Sequence, residues 1–166
     1  MRILWVATKV PVPAVDGGRL VALTTIRALA AAGHAVTVVA PVDPVHADAA
    51  RRAAAEAELA VELVSAAPVG WPRAAFRGLS SRLPVTIARH AHVAVRARVD
   101  ALLETGAFDV VHAEQVHALS VCTDAERRGV PVVWRAHNVE SALWRARAGH
   151  GNRATRGLGW RWEARR

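Results

Sequence analysis

The feature that most constrains the fold is a repeating order along the chain. A short apolar run rich in β-branched residues is followed by apolar side chains at helical spacing, and then by another short run. Residues 3–8, 35–40, 61–64, 110–113 and 130–134 are such runs, with little polar alternation inside them. Strands of that kind are buried on both faces, which predicts a parallel sheet sandwiched between helices. The helical signals fall between the runs. Leu20, Leu23, Ile26, Leu29 and Ala30 form a stripe that ends at Gly33, in the position of a C-terminal cap. An alanine-rich helix is predicted over 47–58 and another over 116–128. A longer one over 86–103 has Ile87, Ala91, Val95, Val99 and Leu102 or Leu103 on one side. Residues 65–85, with Pro68, Pro72, Pro84 and Trp71, read as a loop with a short helix, and 158–166 as a further helix. Together these give an α/β domain with a doubly wound, Rossmann-like parallel sheet and helices on both faces.

Size and composition fit that class. A chain of 166 residues, 52% hydrophobic, is one domain large enough to bury its own core. No apolar run reaches the length of a membrane-spanning helix, and the N-terminus enters a strand without a signal-peptide pattern. Cys122 is the single cysteine, so the chain forms no internal disulfide and fits a reducing, cytoplasmic compartment.

The net charge is +8, and residues 135–166 hold most of it, with eight arginines against Glu140 and Glu163. A basic segment can serve nucleic acid, a membrane surface or a phosphorylated ligand. It can equally follow from GC-rich coding, because Lys9 is the only lysine among 22 basic residues. There is no helix-turn-helix, zinc or RNA-binding signature, and the six tryptophans do not interleave with the basic residues. Nucleic acid is therefore not an expected partner.

In an open α/β sheet, ligands sit beyond the carboxyl ends of the strands, where the strand order reverses. The residues just after each strand are the candidates. After the first comes Val15-Asp16-Gly17-Gly18-Arg19, opening a long helix. Paired glycines admit a ligand close to the backbone and a helix N-terminus offers free N–H groups, though a plain tight turn has the same sequence. After the fourth comes His112-Ala113-Glu114-Gln115-Val116-His117, and after the fifth Arg135-Ala136-His137-Asn138-Val139-Glu140-Ser141. Each tip carries histidine with an amide or acid, groups suited to polyhydroxylated ligands. His112 also fits the core by strand alternation, and Asn138 fits a helix N-cap. No spacing matches a zinc site, and no Gly-x-Ser-x-Gly elbow is present.

The opening from Arg2-Ile3-Leu4-Trp5 through Pro11 to Asp16-Gly17-Gly18 resembles the start of family 4 glycosyltransferases of the GT-B architecture. So does Ala32-Gly33-His34-Ala35-Val36-Thr37-Val38-Val39 after Leu29. The stretches Phe108–Glu114 and Val132–Ser141 are similar to the family's second and third blocks. The resemblance covers nearly the whole chain, most loosely over 45–105. It implies a retaining sugar transfer from a nucleotide-sugar donor to a sugar or lipid-linked acceptor, without metal or other cofactor. By it His137 is the catalytic residue at the transferred sugar, and Gly17, Gly18, Arg19 and Asn138 serve the donor. Glu114, Gln115 and His117 serve the acceptor. It also implies a C-terminal domain, absent here, that grips most of the nucleotide; residues 1–166 are then the N-terminal, acceptor-side domain lacking its last strand, and inactive alone. A non-catalytic module binding sugar or phosphate is the alternative. Lipid-linked acceptors, with Arg73, Arg77, Arg82, Arg89 and Arg96 near predicted helices, imply peripheral contact with the inner face of an anionic membrane.

Overall fold

A computed structural model describes residues 1–66, 69–81 and 83–136, together with 142, 145 and 146. The elements run in the order β1 (Arg2–Val6), α1 (Gly17–Ala31), β2 (Ala35–Val42), α2 (Ala47–Glu56), β3 (Val61–Ser65), α3 (Trp71–Ser81), α4 (Val85–Ala88), α5 (Val93–Glu104), β4 (Val110–Glu114), α6 (Val116–Leu119) and β5 (Val132–Arg135). Short 3-10 turns occupy Pro44–His46 and Glu126–Arg128. The chain divides into two compact units, residues 1–68 with 90–135, and residues 69–89 with 136–166.

The first unit is the expected α/β domain. Its five strands pair in parallel in the order β3-β2-β1-β4-β5. The central strand β1 explains why the runs are continuously apolar: Leu4, Trp5 and Val6 are wholly buried, as are Val38, Val39 and Ala40 in its neighbour β2. Successive side chains point to opposite faces, so β1 serves two cores at once. Leu4 and Val6 pack with Val95, Val99 and Leu103 of α5 and with Ala118 of α6. Trp5 and Ala7 pack with Ala22, Leu23 and Ile26 of α1 and with Ala50 and Ala54 of α2. Helices thus cover both faces. α1 stops where the sequence predicts: Gly33 has φ +82°, and the N–H groups of Gly33 and His34 donate to the carbonyls of Ala30 and Leu29. That is the left-handed cap glycine provides at least cost.

Several expectations need correction. The stripe of α1 is narrower than its spacing suggests, because Leu20 is exposed and the core takes Ala22, Leu23 and Ile26. The short helix expected within the loop over 65–85 is α3, and at 11 residues it takes up most of that segment. Pro72 lies in its first turn, where proline costs no internal hydrogen bond, and Pro84 sits at the N-cap of α4. The single helix expected over 86–103 is two, α4 and α5, with His92 in extended conformation as the N-cap of α5. The helix expected over 116–128 is reduced to α6 and a 3-10 turn. Ser120, Thr123 and Asp124 lie between them, residue types that compete with helical backbone bonding; the Ser120 hydroxyl donates to the His117 carbonyl. The helix expected over 158–166 lies outside the described residues.

Candidate functional site

The chain runs outward from β1 through β2 to β3, then returns to place β4 on the other side of β1. The order reverses between β1 and β4, and a small, open pocket lies at their carboxyl ends. Ala7, Thr8, Lys9 and Pro11 after β1, Gly18, Arg19 and Ala22 of α1, and Glu114 and Gln115 at the end of β4 line it.

One wall is organised by Asp16, the N-cap of α1. Its Oδ1 accepts from the Arg19 backbone N–H at 2.9 Å, the cap that seals the first turn. Its Oδ2 accepts from Lys9 Nζ at 2.8 Å and Arg19 Nη1 at 2.9 Å, while Arg19 Nε donates to the Val10 carbonyl at 3.0 Å. The Lys9 ammonium, then the Arg19 N–H, hold the Asp16 carboxyl down to about 2. Because the folded value lies below the ordinary one, the stabilisation this carboxylate gives the loop is complete above about pH 4 and is lost as pH falls through 2. With both cations on one carboxylate, the cluster of Lys9, Asp16 and Arg19 keeps a surplus positive charge beside the pocket. Gly18 leaves the space between the walls open. A Cβ there would lie 3.3 Å from Asp16 Oδ1, 3.7 Å from Lys9 Nζ and 3.8 Å from Gln115 Nε2.

The other wall comes from β4 and β5. Glu114 is the one buried charged residue of the described chain, 4% exposed. His112 Nε2 donates to its Oε2 at 3.2 Å, and Arg135 Nη1 lies 3.9 Å from the same oxygen. Register explains the grouping: Trp5 pairs with His112 and Glu114 with Arg135, so all four side chains share the face covered by α1. The His112 ring stacks on Trp5 at 3.7 Å, the Arg135 guanidinium lies 5.6 Å from the Trp5 ring centroid, and Arg135 Nη2 donates to Thr25 Oγ1 of α1 at 2.7 Å. A carboxylate this buried needs such partners, since an isolated one would be far too costly to desolvate. Gln115 then takes φ +69° and ψ 157°, a region populated almost only by glycine. Its N–H donates to the Arg135 carbonyl at 3.2 Å, and Thr8 Oγ1 donates to its Oε1 at 3.5 Å across the pocket. The strained backbone therefore turns an amide into the cleft between β1 and β4.

Of the residues marked out in the sequence, Gly18, Arg19, Glu114 and Gln115 meet in this one pocket. Arg19 reaches it with its guanidinium already bound to Asp16 and Val10. Gly17 is the first residue of α1 but not part of the lining, and a Cβ on it would meet nothing within 4 Å. His117 is also outside the lining; its ring meets His90 edge-on at 4.9 Å. His137 and Asn138 lie outside the described residues. The sequence reading missed Thr8, Lys9 and Thr25, and it gave no role to Asp16 and Arg135 although both lie in the segments it marked. Two signals were available: Lys9 is the only lysine of the chain, and an Asp directly before a helix start is an N-cap. Nothing in the sequence marks Thr25, which enters through its place on α1 above β5.

Comparison with known proteins gives one assignment. The family model described as Glycosyltransferase Family 4 matches residues 15–166. No curated protein and no solved structure matches the chain.

Proposed function

Because the chain belongs to glycosyltransferase family 4, we propose that the pocket between β1 and β4 is where an acceptor hydroxyl meets a nucleotide-sugar for sugar transfer, in a GT-B enzyme whose second domain completes the donor site. The observation that carries this reading is the convergence of Gly18 and Arg19 with Glu114 and Gln115 at the point where the strand order reverses. The two walls suit the two substrates. Lys9 and Arg19 beside Gly18 offer positive charge and close backbone approach to a diphosphate, whose charge grows as the bond to the anomeric carbon breaks. Glu114 and Gln115 offer an acceptor oxygen and an amide to a sugar hydroxyl, and Arg135 and His112 keep the Glu114 carboxylate fixed in place. On this reading His137 and Asn138 contact the transferred sugar, His117 lies farther along the acceptor path, and Gly17 shapes the loop without touching the donor. Transfer keeps the anomeric configuration, draws on no metal, and takes place in the cytoplasm.

The test is turnover of the full-length enzyme with a nucleotide-sugar donor. Glu114→Gln keeps the shape of the wall and removes its charge, so it is expected to raise the KM for the acceptor and leave donor hydrolysis near its original rate. His137→Ala is expected to lower kcat by about 10²–10³, the cost of one contact made in the transition state. Unchanged transfer by both variants would remove the assignment while leaving the fold intact.

A further inference from the structure

The two cations on the α1 wall of the pocket are not held alike. Arg19 is fixed at three points: its backbone N–H and its Nη1 donate to Asp16, and its Nε donates to the Val10 carbonyl. A planar guanidinium that matches several acceptors at once has little freedom to leave them. Among the described residues the Lys9 ammonium has a single partner, Asp16 Oδ2 at 2.8 Å, and its side chain is 41% exposed. Lysine is a point charge on a flexible four-carbon stem, so Lys9 is the cation of the pair that can move. Its departure would not strip Asp16, because the Arg19 N–H still reaches Oδ1 and Arg19 Nη1 still reaches Oδ2. The ion pair can therefore open without leaving an uncompensated carboxylate, the event that ordinarily makes breaking such a pair costly.

The place to which Lys9 can move is adjacent. A Cβ on Gly18 would lie 3.7 Å from Lys9 Nζ and 3.8 Å from Gln115 Nε2, with Asp16 Oδ1 at 3.3 Å. The open space at Gly18 thus has two donors and one carboxylate oxygen at its margin. An anion entering it meets Asp16 as a rival, since the same carboxylate that repels it also holds the nearest mobile cation. Asp16 is ionised at every working pH, because the Lys9 ammonium and then the Arg19 N–H hold its carboxyl down to about 2. Capping α1 does not by itself call for that charge, as asparagine caps a helix about as well as aspartate.

We propose that Asp16 is an internal competitor for a diphosphate: it keeps Lys9 while the pocket is empty, yields it to the diphosphate of an incoming nucleotide-sugar, and takes it back as the nucleoside diphosphate leaves. The identity of the ligand rests on the transfer reading; the competition is a separate claim. The released diphosphate carries more negative charge than the donor it came from, so a wall of cations alone would hold the product hardest. A carboxylate built into the wall offsets that difference.

Inorganic pyrophosphate is titrated into the chain, and the parent is compared with Asp16→Asn, Lys9→Met and the double variant. Asp16→Asn keeps the cap and frees Lys9, so it is expected to bind pyrophosphate about fivefold tighter. Lys9→Met is expected to bind it about fivefold more weakly. The two changes are expected not to add: in the Lys9→Met background, Asp16→Asn should gain about twofold or less. Lys9 is the only lysine of the chain, so isotope-labelled lysine gives a single side-chain signal by NMR. That signal is expected to shift in Asp16→Asn without ligand, and to shift in the parent as pyrophosphate is added. Thermal melting of each variant checks that the fold is kept. Pyrophosphate binding that Asp16→Asn leaves unchanged or weakens would overturn the proposal and leave the transfer reading standing. An equal gain with and without Lys9 would reduce Asp16 to simple repulsion and overturn it, as would a Lys9 signal that pyrophosphate does not move. No binding by either the parent or Asp16→Asn would overturn the proposal together with the donor role given to this wall.

Discussion

At the scale of single residues, the pocket depends on two backbone choices that face each other. Gly18 leaves its space open, so Gly18→Ala puts a methyl group 3.3 Å from Asp16 Oδ1 and within 4 Å of Lys9 and Gln115. We expect it to weaken donor binding in calorimetric titration, while Gly17→Ala, whose methyl meets nothing within 4 Å, binds normally and melts slightly higher through better helix propensity. If both variants bind alike, the open space at Gly18 has no role. Gln115 is the opposite case, a side chain kept at the expense of a strained φ of +69°. Such strain costs on the order of 1–3 kcal/mol, so Gln115→Gly should raise the urea midpoint by an amount worth about 1 kcal/mol after the entropy glycine loses. The same substitution should reduce sugar transfer, because the amide that bonds Thr8 across the cleft is gone. A variant that is both less stable and fully active would contradict this account. The family resemblance marks both residues, but neither backbone role is legible in a one-dimensional reading. A lone Gly-Gly is an ordinary turn signal, and a positive φ at glutamine leaves no mark in the sequence.

Among the elements, α1 is where fold and site meet. Ile26 is 2% exposed beneath the β1–β2 face, and the same helix carries Gly18, Arg19 and Thr25. Ile26→Ala should cost about 2–5 kcal/mol in unfolding free energy, the range for deleting a buried aliphatic side chain. Leu20→Ala, at a position 54% exposed, should cost less than about 0.5 kcal/mol. Denaturant titration of the pair tests which side of α1 faces the core, and equal losses would contradict the packing. The existence and type of α1, α2, α5 and all five strands were legible in the sequence, because each has a buried face long enough to show its period. The break between α4 and α5 was not, since the apolar stripe passes through it without glycine or proline. The length of α3 was masked by prolines, which mark a loop by composition but occupy harmless positions at helix starts.

For the molecule as a whole, Cys122 reports on cooperative opening. Its thiol is buried against the α5 face of the sheet, and burial pushes it up to about 12. The reactive thiolate is thus scarce at neutral pH, and reagent reaches the sulfur only when that core opens. Alkylation in native buffer is expected to proceed at the rate of unfolding and to accelerate across the denaturant transition; rapid labelling of the folded chain would show that the core is not closed as described. The sequence by itself determined the class of fold, the parallel order of strand and helix, and the positions at which chain leaves the sheet. Those follow from periodic burial and from turn residues, which are local properties of the chain. Only the tertiary structure decided which strand tips share a pocket, because β1 and β4 become neighbours through a crossover more than a hundred residues long. It also decided that Asp16 takes both Lys9 and Arg19, that Arg135 stands beside Glu114, and that α3 turns Phe76 and Leu79 outward. These outcomes depend on distances between residues far apart in the chain, or on a close approach such as that of Gly78 to the Leu83 carbonyl. Neither composition nor spacing encodes them.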